Sequence, residues 1–207
     1  LVRPMKKLPF LLLAFATLSS RAADRPHGLV IHGGAGVIAR ATMSPEREAE
    51  YRARLTEALN AGYAVLDRGG AALDAVTAAI NIMEDSPLFN AGKGAVFNAD
   101  GICELDASVM DGSTQAAGAI AGVHHIKNPI NLARDVMLKS PHVMMAGEGA
   151  EKFARSLGYE LVPNEYFQTD WRREQLKKAQ AKEKDGKERT AAAPVDYFAR
   201  TLRWGTV

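Results

Sequence analysis

Residues 102–126 read ICELDASVMDGSTQAAGAIAGVHHI, and this stretch decides the fold class. From Ile102 to Val109 the even positions hold Ile, Glu, Asp and Ser, and the odd positions hold Cys, Leu, Ala and Val. This alternation predicts a β-strand with one apolar face, because successive side chains point to opposite sides of a sheet. Asp111 and Gly112 favour a turn, and a second apolar run begins at residue 116. We therefore predict a β-hairpin that turns at residues 111–113.

Helical segments surround this hairpin in the sequence. Residues 45–68 carry apolar residues at helical spacing, with Ser44 placed as N-cap, Pro45 in the first turn and Gly69-Gly70 at the end. The other predicted elements are a mostly buried helix at 72–84, helices at 131–139 and 148–157, a short buried strand at 143–146, and a buried strand at 29–31 that runs into a glycine turn. This mixture predicts an α/β domain of the α+β kind.

The first 22 residues, LVRPMKKLPFLLLAFATLSSRA, have the pattern of a secretory signal peptide. Lys6 and Lys7 precede an apolar run at 8–18, and small residues follow up to Ala22, after which we expect cleavage. The run is too short for a transmembrane anchor, which needs about 20 apolar residues. We therefore expect a protein exported to the periplasm, with residues 1–22 as leader and no membrane attachment after its removal.

Removal of this leader reverses the net charge, because the leader holds four basic residues and no acidic one. The whole chain of 207 residues has 26 Lys and Arg against 24 Asp and Glu, a net charge of +2. Without residues 1–22 the basic count falls to 22, and the net charge becomes −2. This balance argues against a nucleic-acid partner. Cys103 is the only cysteine, which excludes an intrachain disulfide.

Three glycine-containing stretches resemble nucleotide or hydrolase motifs but lack the partners that those motifs require. Gly34-x-Gly36-x-x-Ala39 follows a predicted strand like a dinucleotide fingerprint, yet Pro45 delays the helix that it should open. The His-Gly-Gly at 32–34 resembles the oxyanion loop of some hydrolases, but their G-x-S-x-G nucleophile motif is absent from the sequence. The stretch around Lys93 lacks the spacing of a phosphate-binding P-loop.

Two pairs of polar residues are better explained by structure than by chemistry. His124 and His125 are adjacent, so on a strand their side chains point to opposite faces and do not converge on a metal ion. Asp106 and Asp111 fall within the predicted hairpin, where a polar strand face and a turn residue are expected. We therefore expect structural roles for all four.

Residues 164–205 are dense in charges of both signs, and apolar residues become sparse after residue 176. This composition predicts a solvated, disordered linker; a basic binding tail is the alternative, and the mixed signs argue against it. The linker ends at Gly205-Thr206. A threonine hydroxyl becomes an effective nucleophile when cleavage makes it the first residue of a chain, with its own α-amine as the base. A preceding glycine eases such a cleavage because it crowds the attack least.

Six segments together resemble the isoaspartyl peptidase/plant-type L-asparaginase family of N-terminal-nucleophile hydrolases. They read LVIHGGAG (29–36), ALDAVTAAINIMEDSPLFNAGKGAVFN (72–98), ELDASVMDG (104–112), AGAIAGVHHIKNPINLARDVM (117–137), SPHVMMAGEGAEKFA (140–154) and GTV (205–207). The resemblance implies a four-layer αββα sandwich, made as one precursor that cleaves itself into an α and a β subunit. It divides this chain into the leader, an α-subunit body at 23–163, the linker at 164–205 and the start of the β subunit at 206–207.

The resemblance also implies roles for individual residues. Thr206 corresponds to the catalytic nucleophile, and the Gly205-Thr206 bond to the self-cleavage site. The loop that contains Gly33, Gly34 and Gly36 corresponds to a glycine loop beside the nucleophile. Asn90 corresponds to an asparagine close to the active site.

A structural sodium site is implied as well, whereas catalysis is expected to need no cofactor. Sodium would be bound mainly by main-chain carbonyls, since oxygen from any residue satisfies a hard cation. The site requires that the Lys93 ammonium points away from the cation. The residues that correspond to the carbonyl donors are Met83, Glu84, Ser86, Phe89, Ala91 and Lys93.

The implied chemistry is acyl transfer to Thr206 from asparagine or from the isoaspartyl bond of a β-aspartyl dipeptide, through an ester that water hydrolyses. Most substrate contacts of the family lie in the β subunit, so none is assigned here, and this fragment alone is expected to be inactive. The resemblance implies pairing with the chain's own β subunit and a dimer of two αβ units. The alternatives are a glycosylasparaginase-like amidase and a truncated product that binds without catalysis.

Overall fold

The computed structural model describes residues 26–33 and 43–184 of the chain. Its elements in chain order are α1 (Pro45–Asp67), α2 (Ala72–Glu84), β1 (Leu105–Met110), β2 (Ala117–Val123), α3 (Pro129–Lys139), β3 (Met144–Ala146), α4 (Gly147–Ser156), a 3-10 helix (Asn164–Phe167) and α5 (Asp170–Lys184). The fold is therefore of the predicted α+β kind. No helix within these ranges is long and apolar enough to cross a membrane. The predicted leader at 1–22 lies outside the described residues.

The helices α1 and α2, which precede the sheet in the chain, pack against each other. The Ser44 hydroxyl caps α1 by accepting the N–H of Arg47 at 3.2 Å, and Pro45 occupies the first turn, as the sequence predicted. Both helices end within a residue of their predicted limits. Apolar side chains at their contact form a first core cluster, whose buried members are Ala58, Ala79, Met83 and Phe89.

The three strands form one sheet in the order β1-β2-β3. β1 and β2 are the predicted antiparallel hairpin, with Leu105 opposite Val123 and Met110 opposite Ala117. β3 pairs in parallel with β2, and α3 makes the crossover between them, as parallel pairing requires. The odd residues of β1 face inward as predicted, because Leu105 is buried and Ala107 packs against the core.

The helix α3 lies very close to the inner face of this sheet. A Cβ atom at Gly118 would lie 2.1 Å from the carbonyl oxygen of Ala133 and 2.6 Å from the backbone nitrogen of Met137. Only glycine therefore permits this approach. The second and larger core cluster fills the same side of the sheet, and its buried members are Ala95, Cys103, Leu105, Ile120, Val123, Ile126, Leu132, Ala133, Val136, Ala150, Ala154 and Phe167.

The opposite side of the sheet carries the aligned row Ser108, Ala119 and Met144, which we call the outer face. Met144 is 57% exposed, and the neighbouring Val143 is 64% exposed. The predicted strand at 143–146 is thus present as β3, but its predicted burial was wrong. As the last strand in the sheet order, β3 contributes Met145 to the core and turns its other residues outward.

The predicted strand at 29–31 was also wrong, since residues 26–33 form no strand. Leu29 and Ile31 pack on the first core cluster, whereas Val30 is 94% exposed. The alternation of a strand is therefore present, but a strand also needs a hydrogen-bonded neighbour. Within the described ranges no strand lies beside this segment.

The predicted disorder of residues 164–205 was wrong for their first half, residues 164–184. These residues form the 3-10 helix and α5. The cause is tertiary contact, because Phe167 is fully buried in the larger core and Arg172 hydrogen-bonds to the backbone at Gly94. The remainder of the predicted linker lies outside the described residues.

Candidate functional site

The residues that carry the predicted sodium site and Asn90 form a loop at residues 84–95, between α2 and β1. The loop is closed at its base, where the N–H of Lys93 donates to the carbonyl of Glu84 at 2.7 Å. Gly94 has a φ of +94°, in a region that favours glycine. A Cβ atom there would lie 2.6 Å from the carbonyl oxygen of Phe89 and 2.7 Å from that of Pro87. Two carbonyl oxygens thus converge beside Gly94.

Of these two oxygens, that of Phe89 belongs to the predicted sodium donors and that of Pro87 does not. Three of the six predicted donors, the carbonyls of Met83, Glu84 and Ser86, accept N–H groups from within the same turn, and each keeps a second lone pair. The Lys93 ammonium lies 5.8 Å from the centre of the Tyr166 ring, toward the 3-10 helix. Within the described residues, no group of three or more His, Cys, Asp or Glu side chains could hold a metal ion. Any metal at this loop would therefore need other ligands, such as main-chain oxygen.

The structure brings one of the predicted glycines against this loop. A Cβ atom at Gly33 would lie 2.8 Å from the ring of Phe89, the residue that precedes Asn90. Asn90 itself is half-buried, and its amide makes no hydrogen bond to another described residue. Its predicted place near an active site stays a prediction. The remaining predicted site residues, Gly34, Gly36, Gly205 and Thr206, lie outside the described residues.

A buried carboxyl group fixes the start of this loop. Glu84 is 2% exposed, and its Oε1 accepts the N–H of Ile130 at 2.8 Å in the first turn of α3. Its Oε2 accepts from the Asn128 amide at 3.2 Å. Burial raises the pKa of Glu84 to about 8, although both hydrogen bonds act in the opposite direction. Glu84 thus joins the end of α2 to the beginning of α3.

His124 and His125 lie in a bend after β2, so the predicted strand placement of the pair was wrong. Oε1 of Glu151 accepts the N–H groups of both histidines, at 2.7 and 3.0 Å, and the Glu151 carboxylate also contacts Nδ1 of His125. The His124 ring instead faces Glu104 at 3.4 Å. Burial raises the pKa of Glu151, but these hydrogen bonds outweigh it and hold the pKa below its ordinary value. The Glu151 carboxylate therefore fastens α4 to the end of β2.

Asp106 and Asp111 also have structural surroundings. Asp106 accepts the N–H of Gly122 at 2.8 Å across the hairpin. Asp111 accepts from both the hydroxyl and the N–H of Ser113, and these bonds lower the pKa of its carboxyl group. Each carboxylate thus has a backbone partner within the hairpin, as the sequence analysis expected.

Sequence reasoning missed the segment 164–172, which contacts both ends of the 84–95 loop. The hydroxyl of Tyr166 donates to Asp85 at 3.3 Å, and Arg172 reaches the carbonyl of Gly94 at 2.8 Å. Asn164 attaches the same segment to the sheet, where its amide bonds both backbone groups of Cys103. The many charged residues nearby led to a prediction of disorder, although the aromatic residues Tyr166, Phe167 and Trp171 were signals of a packed element.

An open groove of about 400 Å³ lies outside the loop, between α1 and residues 86–88. Its charged groups are already paired on α1, with Arg47 to Glu50 at 2.9 Å and Arg54 to Glu57 at 2.7 Å. The groove therefore offers no unpaired charge from these four side chains to a ligand.

Comparison with known proteins decides the family. A family profile described as asparaginase matches residues 25–207, which is most of the chain. The chain belongs to this asparaginase family. The resemblance seen in the sequence is thereby confirmed.

Individual relatives share about half of the residues in the aligned part with this chain. The isoaspartyl peptidase of Salmonella typhimurium (strain LT2) is 50% identical over 179 residues, which is 86% of this chain and 56% of that protein. The isoaspartyl peptidase of Escherichia coli (strain K12) is 54% identical over 148 residues, covering 72% of this chain and 46% of that protein. The plant-type L-asparaginase of Thermococcus kodakarensis is 49% identical over 132 residues, or 64% of this chain and 42% of that protein. This chain therefore spans about half the length of the asparaginase-family relatives that it matches.

Proposed function

We propose that this chain is the α-subunit part of a self-processing amidohydrolase that hydrolyses β-aspartyl dipeptides and L-asparagine. The observation that carries the proposal is the asparaginase-family match over residues 25–207, which includes the Gly205-Thr206 pair. The names of the similar proteins, isoaspartyl peptidase and L-asparaginase, supply the two substrate classes. No cofactor takes part in the proposed chemistry.

Self-processing begins when Oγ of Thr206 attacks the carbonyl carbon of Gly205. The bond from that carbon to the Thr206 nitrogen breaks as the ester forms, and the nitrogen takes up the proton from the hydroxyl. One water molecule then hydrolyses the ester. The products are a carboxylate at Gly205 and a new chain that begins with Thr206 and carries a free α-amine.

Turnover uses the same hydroxyl on the substrate. The freed α-amine of Thr206 takes the proton of Oγ, which attacks the side-chain carbonyl of the aspartyl group. A β-aspartyl ester forms, and ammonia or an amino acid leaves with the proton. Water hydrolyses the ester to aspartate and regenerates the threonine. We place Asn90 and the glycines at 33, 34 and 36 beside this threonine, and the remaining substrate contacts in the β subunit.

The experiment is mass analysis of the full-length protein during incubation at neutral pH, followed by assays on a β-aspartyl dipeptide, asparagine and glycosylated asparagine. We expect two fragments that divide at Gly205-Thr206 and together exceed the precursor by one water molecule. Thr206→Ala should abolish this cleavage and both activities. Cleavage of the Ala variant at the same bond would disprove the assignment of the nucleophile. Activity on glycosylated asparagine alone would assign the chain to the amidase alternative.

We further propose that the 84–95 loop binds one sodium ion through main-chain carbonyls, those of Met83, Glu84, Ser86, Phe89, Ala91 and Lys93. The position of the Phe89 carbonyl beside Gly94 and of the Lys93 ammonium near the Tyr166 ring support this site. The ion would serve structure alone. We expect the melting temperature of the full-length protein to be higher in sodium chloride than in choline chloride of equal ionic strength. Equal melting temperatures would exclude the site.

The uncovered parts of the fold support a larger assembly, and we place a second sheet, from the β subunit, on the outer face. Small side chains such as Ala117, Ala119 and Ala121 alternate along β2 on that side, and they leave room for a close second layer. Segment 29–31, with its exposed Val30, would gain a strand neighbour in the same sandwich. The mature protein would be a dimer of two αβ units. We place it in the periplasm after removal of residues 1–22, a location that amino-terminal sequencing of the secreted product would test.

A further inference from the structure

Both backbone polar groups of Gly94 are bound by one neighbouring segment. The N–H of Gly94 donates to the carbonyl of Phe167 at 2.7 Å. Its carbonyl accepts from Nε of Arg172 at 2.8 Å. A short stretch, residues 167–172, therefore fixes the orientation of this residue from two sides.

The orientation of Gly94 determines the geometry of the loop around Asn90. The carbonyl oxygens of Pro87 and Phe89 lie so close to Gly94 that a Cβ atom would not fit between them. These two residues stand on the amino-terminal side of Asn90, and Gly94 follows it by four positions. A rotation at Gly94 would move the carbonyls or open the loop.

The segment that binds Gly94 is itself attached to the sheet. The Asn164 amide donates to the carbonyls of Cys103 and His124, at 2.8 and 3.0 Å, and accepts the N–H of Cys103 at 3.0 Å. Cys103 precedes β1, and His124 follows β2. Phe167 is fully buried in the core beneath them. The hydrogen bond from Arg172 thus connects the 84–95 loop to a rigid part of the fold.

The Arg172 guanidinium is held in its hydrogen bond to the Gly94 carbonyl. Its Nη1 donates to Gln175 at 2.8 Å on the same helix, and no carboxylate among the described residues lies within ion-pair distance of its guanidinium. The side chain is half-buried, and burial lowers the pKa of the guanidinium. Arg172 therefore acts as a hydrogen-bond donor to the loop, with charge that strengthens the bond to the neutral carbonyl.

We propose that Arg172 is a positioning residue, which holds the Gly94 carbonyl and thereby keeps Asn90 in the geometry that the reaction requires. The inference rests on the proposed function for its catalytic consequence. The anchoring of Gly94 by Arg172 rests on the contacts alone.

The anchoring is tested by hydrogen–deuterium exchange of the full-length protein, read at the amides of residues 85–94. Arg172→Gln should accelerate exchange at the Lys93 and Gly94 amides by roughly tenfold or more, the loss expected for one hydrogen bond from a charged donor. Arg172→Lys retains one donor and should restore part of the protection. The matched control is Arg173→Gln, which should leave these amides unchanged, since the Arg173 guanidinium donates to Gln168 and lies over the Phe97 ring, away from Gly94. Wild-type exchange rates in Arg172→Gln would overturn the inference.

The catalytic consequence is tested on the processed enzyme with a β-aspartyl dipeptide. We expect kcat to fall about tenfold in Arg172→Gln while KM changes by less than about twofold, because Arg172 supports the loop and does not contact substrate. Arg172→Lys should recover part of kcat, and Arg173→Gln should match the wild type. An unchanged kcat in Arg172→Gln would overturn the positioning role. A wild-type protein without activity would instead disprove the proposed function, and the exchange rates would still decide whether Arg172 anchors Gly94.

Should Arg172→Gln fail to fold, Arg172→Lys carries both tests. Faster exchange at Gly94 together with a lower kcat would support the inference. The inference would be contradicted if Arg172→Lys and a second variant, Arg172→Met, both kept wild-type protection at Gly94 and wild-type kcat.

Discussion

At the scale of single residues, the close approach of one backbone segment to another shapes the fold as much as side-chain contacts do. Gly118 permits α3 to lie on the sheet, and Gly94 permits two carbonyls to converge in the 84–95 loop. Neither role is visible in hydrophobic patterning, because that patterning records side chains. The sequence shows where glycines stand, and only the fold shows which of them a side chain would obstruct.

A substitution at Gly118 tests this point. Gly118→Ala should lower the free energy of unfolding by roughly 2–3 kcal/mol, because the new Cβ atom would overlap backbone atoms of α3 that cannot move independently. The measurement is urea denaturation of the full-length protein followed by circular dichroism.

The matched control for Gly118 is Gly112→Ala in the hairpin turn. A Cβ atom at Gly112 meets no atom within 4 Å, so the free energy of unfolding should change little. Equal losses in the two variants would contradict the close approach of α3 to the sheet.

At the scale of elements, buried carboxyl groups join helices to strands and to one another. Glu84 connects α2 with α3, and Glu151 connects α4 with the end of β2. Both carboxyl groups accept hydrogen bonds from backbone N–H groups that the end of an element leaves without a backbone partner. The pKa values of the two carboxyl groups shift in opposite directions. Burial raises the pKa of Glu84, whereas hydrogen bonds lower the pKa of Glu151.

The lowered pKa of Glu151 predicts a pH-dependent stability. A carboxyl whose folded pKa is depressed stabilises the fold above its unfolded pKa, which for glutamate is about 4.3, and this contribution is lost as the pH falls through the folded value. Glu151→Gln should therefore cost roughly 1–2 kcal/mol of unfolding free energy at neutral pH. The difference from the wild type should shrink below about pH 4. His125 and Arg155 are the titratable side chains that face this carboxylate.

The control for Glu151 lies on the same helix. Glu148 is exposed and forms a surface ion pair with Lys152 at 3.1 Å, so Glu148→Gln should change stability little at any pH. Denaturation at pH 7, 5 and 3.5 measures both variants. A constant difference between Glu151→Gln and the wild type across this range would exclude the predicted role of charge.

Most helices and strands could be predicted from the sequence, but not all of their tertiary contacts. Local signals such as the Ser44 cap and the alternation at 102–109 predicted α1, α2 and β1 closely. α5 was missed because its order depends on distant partners, Gly94 and the core around Phe167, which composition does not reveal. The same reason explains why Arg172 could not be found from the sequence, since its partner Gly94 is far away in the chain.

At the scale of the whole molecule, the described fold has one covered and one uncovered side. The inner side of the sheet carries α3, α4 and the larger core, while Ser108, Ala119 and the 57% exposed Met144 lie on the outer face. The chain covers only about half of the relatives that it matches. An uncovered sheet face is what a structural half of a larger sandwich would present.

A charge on the outer face tests the proposed second layer. Ala119→Lys should leave the local helices folded but prevent self-cleavage of the full-length protein, because a buried lysine would separate the two sheets. The control is Thr56→Lys on the exposed side of α1, which should be processed like the wild type. Size-exclusion chromatography and mass analysis report assembly and cleavage. Normal processing of Ala119→Lys would exclude a tightly packed layer on this face.

The larger core also indicates which part of the molecule folds first. All of its buried members fall between residues 95 and 167, in one continuous stretch of chain. Contacts of such short sequence separation close quickly, because little chain entropy is lost in bringing them together. The ribosome releases this stretch before the residues that follow 184. We therefore expect the sheet and its helices to form early in folding, so that the other residues meet a surface that is already formed.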